Sequence, residues 1–238
     1  MQRTLLTIVL SLVAGFAGAA AFTYSGLGDR QVERYLLANP ELLPRVVAEL
    51  EKVQAQERLA SAGMDIFKPF DGAILGNPNG KHTLVKFTDY NCGYCRASAE
   101  EVQKLLAADP ELKVIIREWP IFGGSDKVAA LALAATRQGK YEAFHQALFA
   151  GGDTSEAGMA AAAREVGLDL EKLKADAASP QIAYELNRNT QWAQELGFTG
   201  TPSWIAGGRI IEGAVPAETL AEAIAGGDSG GGSGAGGK

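Results

Sequence analysis

Apolar and polar positions divide the chain into stretches of different period. Leu5 to Phe22 (LLTIVLSLVAGFAGAAAF) carries no charge, and about 18 such residues lie at the lower edge of what crosses a bilayer. Arg3 precedes the run, and Ala19 and Ala21 form an A-x-A site before Phe22. Residues 1–28 are therefore predicted to be a secretory signal or an N-terminal anchor. Residues 29–62 read as two helices. Asp29 caps the first, which carries Val32, Tyr35, Leu36 and Leu37, and Asn39-Pro40 breaks it. Leu43, Val46 or Val47, Leu50 and Val53 then recur at helical spacing along a charged helix. That narrow stripe suits a helical arm that pairs with copies of itself, and it also suits a helix laid on its own domain.

Beyond the arm the period changes. Gly72–Gly80 (GAILGNPNG) reads as a turn-rich approach, and His82–Tyr90 (HTLVKFTDY) as a strand. A helix follows from Cys95 to Asp109-Pro110, and Leu112–Trp119 is a second strand. Such a strand–helix–strand unit implies parallel strands joined by a crossover. Residues 125–195 show no strand pattern. They read as helices over Ser125 onward with a break at Gly139, then 155–166, 169–178 and 181–196. Ser203–Ala206 and Arg209–Ile211 flank a Gly207-Gly208 hairpin turn, and Ala217–Ala225 closes as a helix. The order is βαβ, a helical insert over about 123–196, then ββα, which makes 63–225 one α/β domain. Residues 226–238 are glycine-rich and read as a flexible tail.

The chain has 238 residues, 47% hydrophobic and 21% charged, and this composition excludes a wholly disordered protein. A net charge of −6 argues against a nucleic-acid partner, which would need a basic face. Cys92 and Cys95 are the only cysteines, and His82 and His145 the only histidines. This set is too small for a structural zinc site or a multi-disulfide scaffold. The two histidines read as structural or exposed.

The chemistry concentrates at Asn91-Cys92-Gly93-Tyr94-Cys95. A strand-to-helix junction puts Cys92 at a helix N-terminus, where unpaired amides and the helix dipole favour a thiolate. Cys95, one turn on, faces back toward it. Cys92 is thus the candidate attacking thiol and Cys95 the candidate resolving thiol. An inert disulfide and a Cu(I) site are the alternatives. Thr201-Pro202 directly precedes a strand and is either a simple helix breaker or a cis peptide beside the cysteines. Tyr90, Tyr94, Phe122, Trp204 and Ile205 are candidates for an apolar rim that receives unfolded substrates. Strand alternation would instead put Trp204 or Ile205 in the core.

FTDYNCGYC, the helical insert and GTPSWIAGGRIIEGA together resemble the DsbA/DsbC group of thioredoxin-fold periplasmic thiol–disulfide oxidoreductases, over roughly residues 65–225. The resemblance implies a thioredoxin fold with a large helical insertion and an N-terminal helical arm. It implies Cys92 as nucleophile, Cys95 as resolving cysteine, Thr201 as the substrate-facing residue and Pro202 as a cis-proline. In such proteins an acidic residue buried under the cysteines relays protons, and Lys86, Asp89 and Glu118 are the candidates for that relay here, or ordinary strand and loop residues. The arm looks like the oligomerisation segment of ScsC-like members. Gly93-Tyr94 departs from the Pro-His of the DsbA oxidases and matches the DsbC isomerases, as does Thr before the cis-proline. The body is DsbA-like.

The expectation is an exported protein disulfide oxidoreductase, periplasmic by secretion or by anchoring, leaning to isomerase or reductase. A DsbA-like oxidase is the alternative, and a Cu(I) carrier or chaperone the alternative of another class. Its partners would be cysteine-containing proteins, a membrane redox partner and further copies of itself through 29–62. No separate cofactor or metal is expected, because the cysteine pair carries the electrons.

Overall fold

The computed structural model describes residues 2–24 and 27–228. The chain forms two compact units, Met1–Val53 and Gln54–Lys238. In the first, α1 (Gln2–Tyr24) is followed by α2 (Leu27–Ala38) and the start of α3 (Leu42–Ala62). The stretch Arg3–Tyr24 is long and apolar enough to cross a membrane. Asn39-Pro40 separates α2 from α3, as the proline predicts. Leu43, Val46, Val47, Leu50 and Val53 are all exposed.

The second unit begins inside α3, so the boundary expected at 62/63 falls between 53 and 54. The reason is packing. Ala55 and Ala62 are buried, Arg58 Nη1 donates to the Leu196 carbonyl at 3.0 Å, and Trp192 Nε1 donates to the Ala62 carbonyl at 3.1 Å.

A five-stranded sheet in the order β1-β3-β2-β4-β5 organises the second unit. β2 (His82–Thr88) and β3 (Leu112–Glu118) run parallel, with Lys86 opposite Ile116 and Thr88 opposite Glu118. Their crossover is α4 (Gly93–Ala108). β4 (Ser203–Ala206) pairs antiparallel with β2, and β5 (Arg209–Glu212) with β4. Gly207 and Gly208, at φ 54° and 74°, form the hairpin turn with the left-handed backbone that favours glycine. β1 (Ile74–Gly76) pairs antiparallel with β3 and corrects the reading of 72–80 as turns alone. Three residues between glycines are too short to show an alternating pattern.

Side chains alternate across the sheet and build two cores. Leu84, Val114, Ile116, Trp204 and Ala206 face α4, the insert and α10 (Ala217–Asp228). Val85, Phe87, Ile115 and Ile205 face Ile66, Trp192 and Phe198. Burying a residue the size of Phe87 contributes about 1.5–3 kcal/mol. The insert holds α5 (Ser125–Ala135), α6 (Tyr141–Gly151), α7 (Glu156–Glu165), α8 (Leu170–Ala177) and α9 (Pro180–Glu195). Ser155 and Asp169 cap α7 and α8 by accepting from backbone N–H groups, and Pro180 opens α9. Helix α10 runs to Asp228, past the expected end at Ala225. Residues 229–238 of the expected tail lie outside the described residues.

Candidate active site

β2 delivers the chain to a turn at Asp89–Asn91, and α4 begins at once. Cys92 is the residue that caps α4, a place where Ser, Thr or Asp usually accepts from an exposed amide. Its side chain makes no such bond. Its Sγ lies 3.2 Å from the Thr201 carbonyl oxygen, as donor. The Thr201–Pro202 peptide is cis, and the same loop starts β4. Two segments 109 residues apart in sequence are thus brought together at the sulfur. Cys92 is 4% exposed and Cys95 fully buried, both as free thiols. Burial pushes the Cys95 thiol up to about 11. The Thr201 and Thr88 hydroxyls, the Asp89 backbone N–H and the Lys86 charge oppose that rise.

Lys86 lies on the same face of β2, with no exposure at all. Its Nζ reaches the Cys95 carbonyl only at 3.5 Å and sits 5.4 Å and 5.2 Å from the ring centres of Phe149 and Trp204. Burial lowers its pKa to about 8, against the pull of Cys95, Glu118 and Cys92. Glu118 is also fully buried. Burial raises it to about 8, although Tyr141 and Tyr90 donate to its Oε1 at 2.6 and 2.8 Å. Asp89 does something different. Its carboxylate accepts from Asn91 N, Ile121 N, Phe122 N and Ser125 Oγ at 2.5–3.1 Å, fastening the 121–125 loop to the cysteine turn.

That loop shapes the surface. Tyr94 is 71% exposed, and Phe122 and Ile121 are 46% and 41% exposed. Of the expected apolar rim, Tyr90, Trp204 and Ile205 are buried. Trp204 and Ile205 fill the two opposite cores, as strand alternation requires, and Tyr90 turns inward to Glu118. Ile121, which no sequence pattern singled out, joins Tyr94 and Phe122 on the rim. Gly93 is exposed and open at the tip of the turn.

Sequence reasoning also missed a buried polar chain. Tyr90 Oη, bonded to Glu118, lies 2.7 Å from His145 Nδ1. Tyr141 and His145 stand four residues apart on α6, hence on one helical face. That spacing was the available signal. His82, the other histidine, sits 2.6 Å from Asp109 at the base of the sheet. Among the described residues there is no group of three or more His, Cys, Asp or Glu side chains able to hold a metal ion.

A free Cys-x-x-Cys at a helix N-terminus, set against a cis-proline loop on a four-strand core with one added edge strand, defines a thioredoxin-fold thiol–disulfide oxidoreductase. Residues 83–225 match the model of the DSBA-like thioredoxin domain, and the chain belongs to that family. A thioredoxin-like oxidoreductase from Silicibacter pomeroyi DSS-3 is 45% identical, over 68% of this chain and 96% of that one, with a TM-score of 0.65. Proteus mirabilis ScsC in a transitional conformation is 25% identical, over 82% of this chain and 92% of that one, with a TM-score of 0.64. The Na(+)/H(+) antiporter NhaA of Herminiimonas arsenicoxydans is 28% identical over 177 residues, 71% of this chain. The chain spans less than a third of the length of such curated relatives, 28% in that case.

Proposed function

We propose that the chain is an exported thiol–disulfide oxidoreductase acting on protein substrates, with a lean toward disulfide isomerisation or reduction. The observation that carries this reading is the Cys92 sulfur at 3.2 Å from the Thr201 carbonyl, ahead of a cis-proline. A substrate strand laid along that loop would bring its disulfide to Cys92. Cys92 attacks as a thiolate and forms a mixed disulfide. Either a substrate thiol or Cys95 then resolves it. Lys86 and Glu118 serve as proton carriers beneath the pair, whereas Asp89 acts on loop position. Tyr94, Ile121 and Phe122 supply apolar contact for an unfolded chain.

The Gly93-Tyr94 dipeptide and the exposed stripe of α3 support the isomerase lean, because isomerisation benefits from several sites sharing one cavity. The apolar α1 supports export, as a signal or as an anchor, to a compartment where disulfides persist. A membrane protein would then reset the redox state of the pair. The ScsC- and DsbA-type body favours a second reading, a disulfide oxidase.

Reactivation of a scrambled-disulfide protein by the full chain in a reducing glutathione buffer tests the choice, with Cys92→Ala beside it. Recovery that depends on Cys92 supports the isomerase. No recovery, with Cys92-dependent oxidation of a reduced substrate, supports the oxidase. Cys95→Ser should accumulate mixed disulfides with client proteins. Tight Cu(I) binding with no trapped client would move the protein to the carrier class.

A further inference from the structure

A cavity of about 400 Å³ lies between α4 and α6. Its floor includes two fully enclosed polar side chains, Lys86 and His145, and its rim includes the exposed Arg96, Glu100 and Gln146. We infer that this cavity is the proton outlet of the active site: water within it takes the proton of Lys86 to solvent, and His145 positions that water.

The polarity of the lining carries the inference. Lys86 has three N–H donors and only one distant carbonyl acceptor. Tyr90 Oη gives its single hydrogen to Glu118, so the 2.7 Å contact with His145 requires Nδ1 to carry the proton and donate. Burial, with the Lys86 charge, holds His145 well below its ordinary range and therefore neutral. Nε2 is left as a bare acceptor, buried and with no protein partner. The cavity thus offers donors on one side and a lone pair on the other. An anion would meet the lone pair, and a cation would meet the ammonium. Water satisfies both, and a cavity of this size holds several molecules at about 30 Å³ each.

The charged and titratable groups facing Lys86 fit this role. They are Cys92 at the cap of α4, Cys95 in its first turn, Glu118 from β3 and His145 from α6, with Tyr90, Tyr141 and Asp89 acting through Glu118. Cys92, Tyr94 and Thr201 do not line the cavity, so a docked substrate leaves it open.

The inference rests on Cys95 being the resolving thiol. In that step neutral Lys86 takes the Cys95 Sγ proton. The Cys95 sulfur attacks Cys92, the Cys92–substrate S–S bond breaks, and the Cys92–Cys95 bond forms. The substrate cysteine leaves as a thiolate with the electron pair and is protonated by bulk water. The enzyme dithiol is oxidised by two electrons and the substrate disulfide reduced by two. Lys86, now an ammonium, passes its extra proton to the cavity water.

The test follows release of a fluorescent peptide from its mixed disulfide with Cys92 in the full chain, between pH 6 and 10, in H₂O and D₂O. Lys86→Met is expected to slow release about tenfold or more and to remove an inflection near pH 8. Ala99→Met, which fills the cavity, and His145→Phe are expected to slow release several-fold with a larger solvent isotope effect. His145→Gln, which keeps an acceptor, should restore most of the rate. Iodoacetamide should alkylate Cys92 at unchanged rates in the Ala99 and His145 variants. If both of those variants keep wild-type release and isotope effects while Lys86→Met does not, the proton leaves by another route. Wild-type release in Lys86→Met removes Lys86 as carrier. Wild-type release in Cys95→Ser, with Lys86 and His145 intact, removes instead the role of Cys95 on which the inference stands.

Discussion

Lys86 and Glu118 are buried charges of opposite sign on neighbouring strands, and burial moves both toward the same pH of about 8. The consequences for stability have opposite slopes. Glu118 holds its proton in the folded chain over roughly pH 4.5 to 8, where the unfolded chain is ionised. The folded state then binds more protons, and stability falls as pH rises through that window. Lys86 is neutral in the folded chain above about 8, whereas its ordinary value is 10.5. The unfolded state binds more protons there, so stability rises from about pH 8 to 10.5. His145, held below its ordinary 6.5, opposes the Glu118 slope below that pH, and Cys95, pushed from 9.0 up to about 11, opposes the Lys86 slope above pH 9. Urea unfolding of the reduced protein should therefore show a shallow minimum near pH 8, confined to about pH 6.5 to 9. Glu118→Gln, which still accepts from the two tyrosines, should flatten the fall between about pH 6.5 and 8 and leave the rise above it. A wild-type profile in that variant would mean that Glu118 does not titrate in this range. At this scale the cysteines were legible because their spacing is local, and Lys86 and Glu118 because each lies on a recognisable strand. The Tyr90–His145 contact spans 55 residues, and no local pattern encodes it.

Among the elements, the β2–α4–β3 unit was readable because apolar period, proline breaks and glycine turns all agree there. What joins that unit to its surroundings was not. Arg117 illustrates the difference. It sits in β3 on the face opposite Glu118, 1% exposed. Its Nη2 donates to the carbonyls of Asp65, Ile66 and Lys68 at 2.6–3.1 Å, and its Nη1 to Glu185 at 2.7 Å. Its guanidinium stacks 4.5 Å from the Trp192 ring centre. One side chain thus ties the turn after α3 and the helix α9 to the sheet. Arg117→Met should destabilise the protein by about 3–5 kcal/mol, because Glu185 and three carbonyls lose their donor in a dry site. Arg117→Lys should recover only part of this, since a point charge lacks the planar fork. Denaturant midpoints decide it, and a loss near zero would show that water replaces the guanidinium. The β4–β5 hairpin gives a second case. A Cβ at Gly207 would strike the Ala223 carbonyl of α10, whereas Gly208 faces open space. Both have positive φ, so Ala at either costs about 1 kcal/mol or more. Gly207→Ala should cost clearly more than Gly208→Ala.

Across the whole chain, the cysteine pair and the stripe proposed for self-pairing lie in different units. The Gln54–Lys238 unit holds the cysteines, the cis-proline and both cores. The Met1–Val53 unit holds α1 and the whole of the stripe that the sequence suggested for pairing. Leu43, Val46, Val47, Leu50 and Val53 are 42–60% exposed, a row of apolar side chains on an otherwise charged helix. Such a row gains from burial against a partner, at about 25 cal/mol per Å² removed from water. Its narrow width matches a two- or three-helix seam better than a broad core. If copies assemble through it, the seam and the thiol chemistry should separate under mutation. The pair Val46→Asp and Leu50→Asp should lower the mass found by light scattering in detergent micelles to that of one chain. Exchange with a small disulfide needs only Cys92 and should stay within about twofold. Reactivation of a scrambled protein should drop more steeply, since it depends on several sites acting on one client. A mass unchanged by the two aspartates would place the assembly elsewhere. A parallel loss of both activities would mean that the arm supports the fold of the catalytic unit rather than the gathering of its copies.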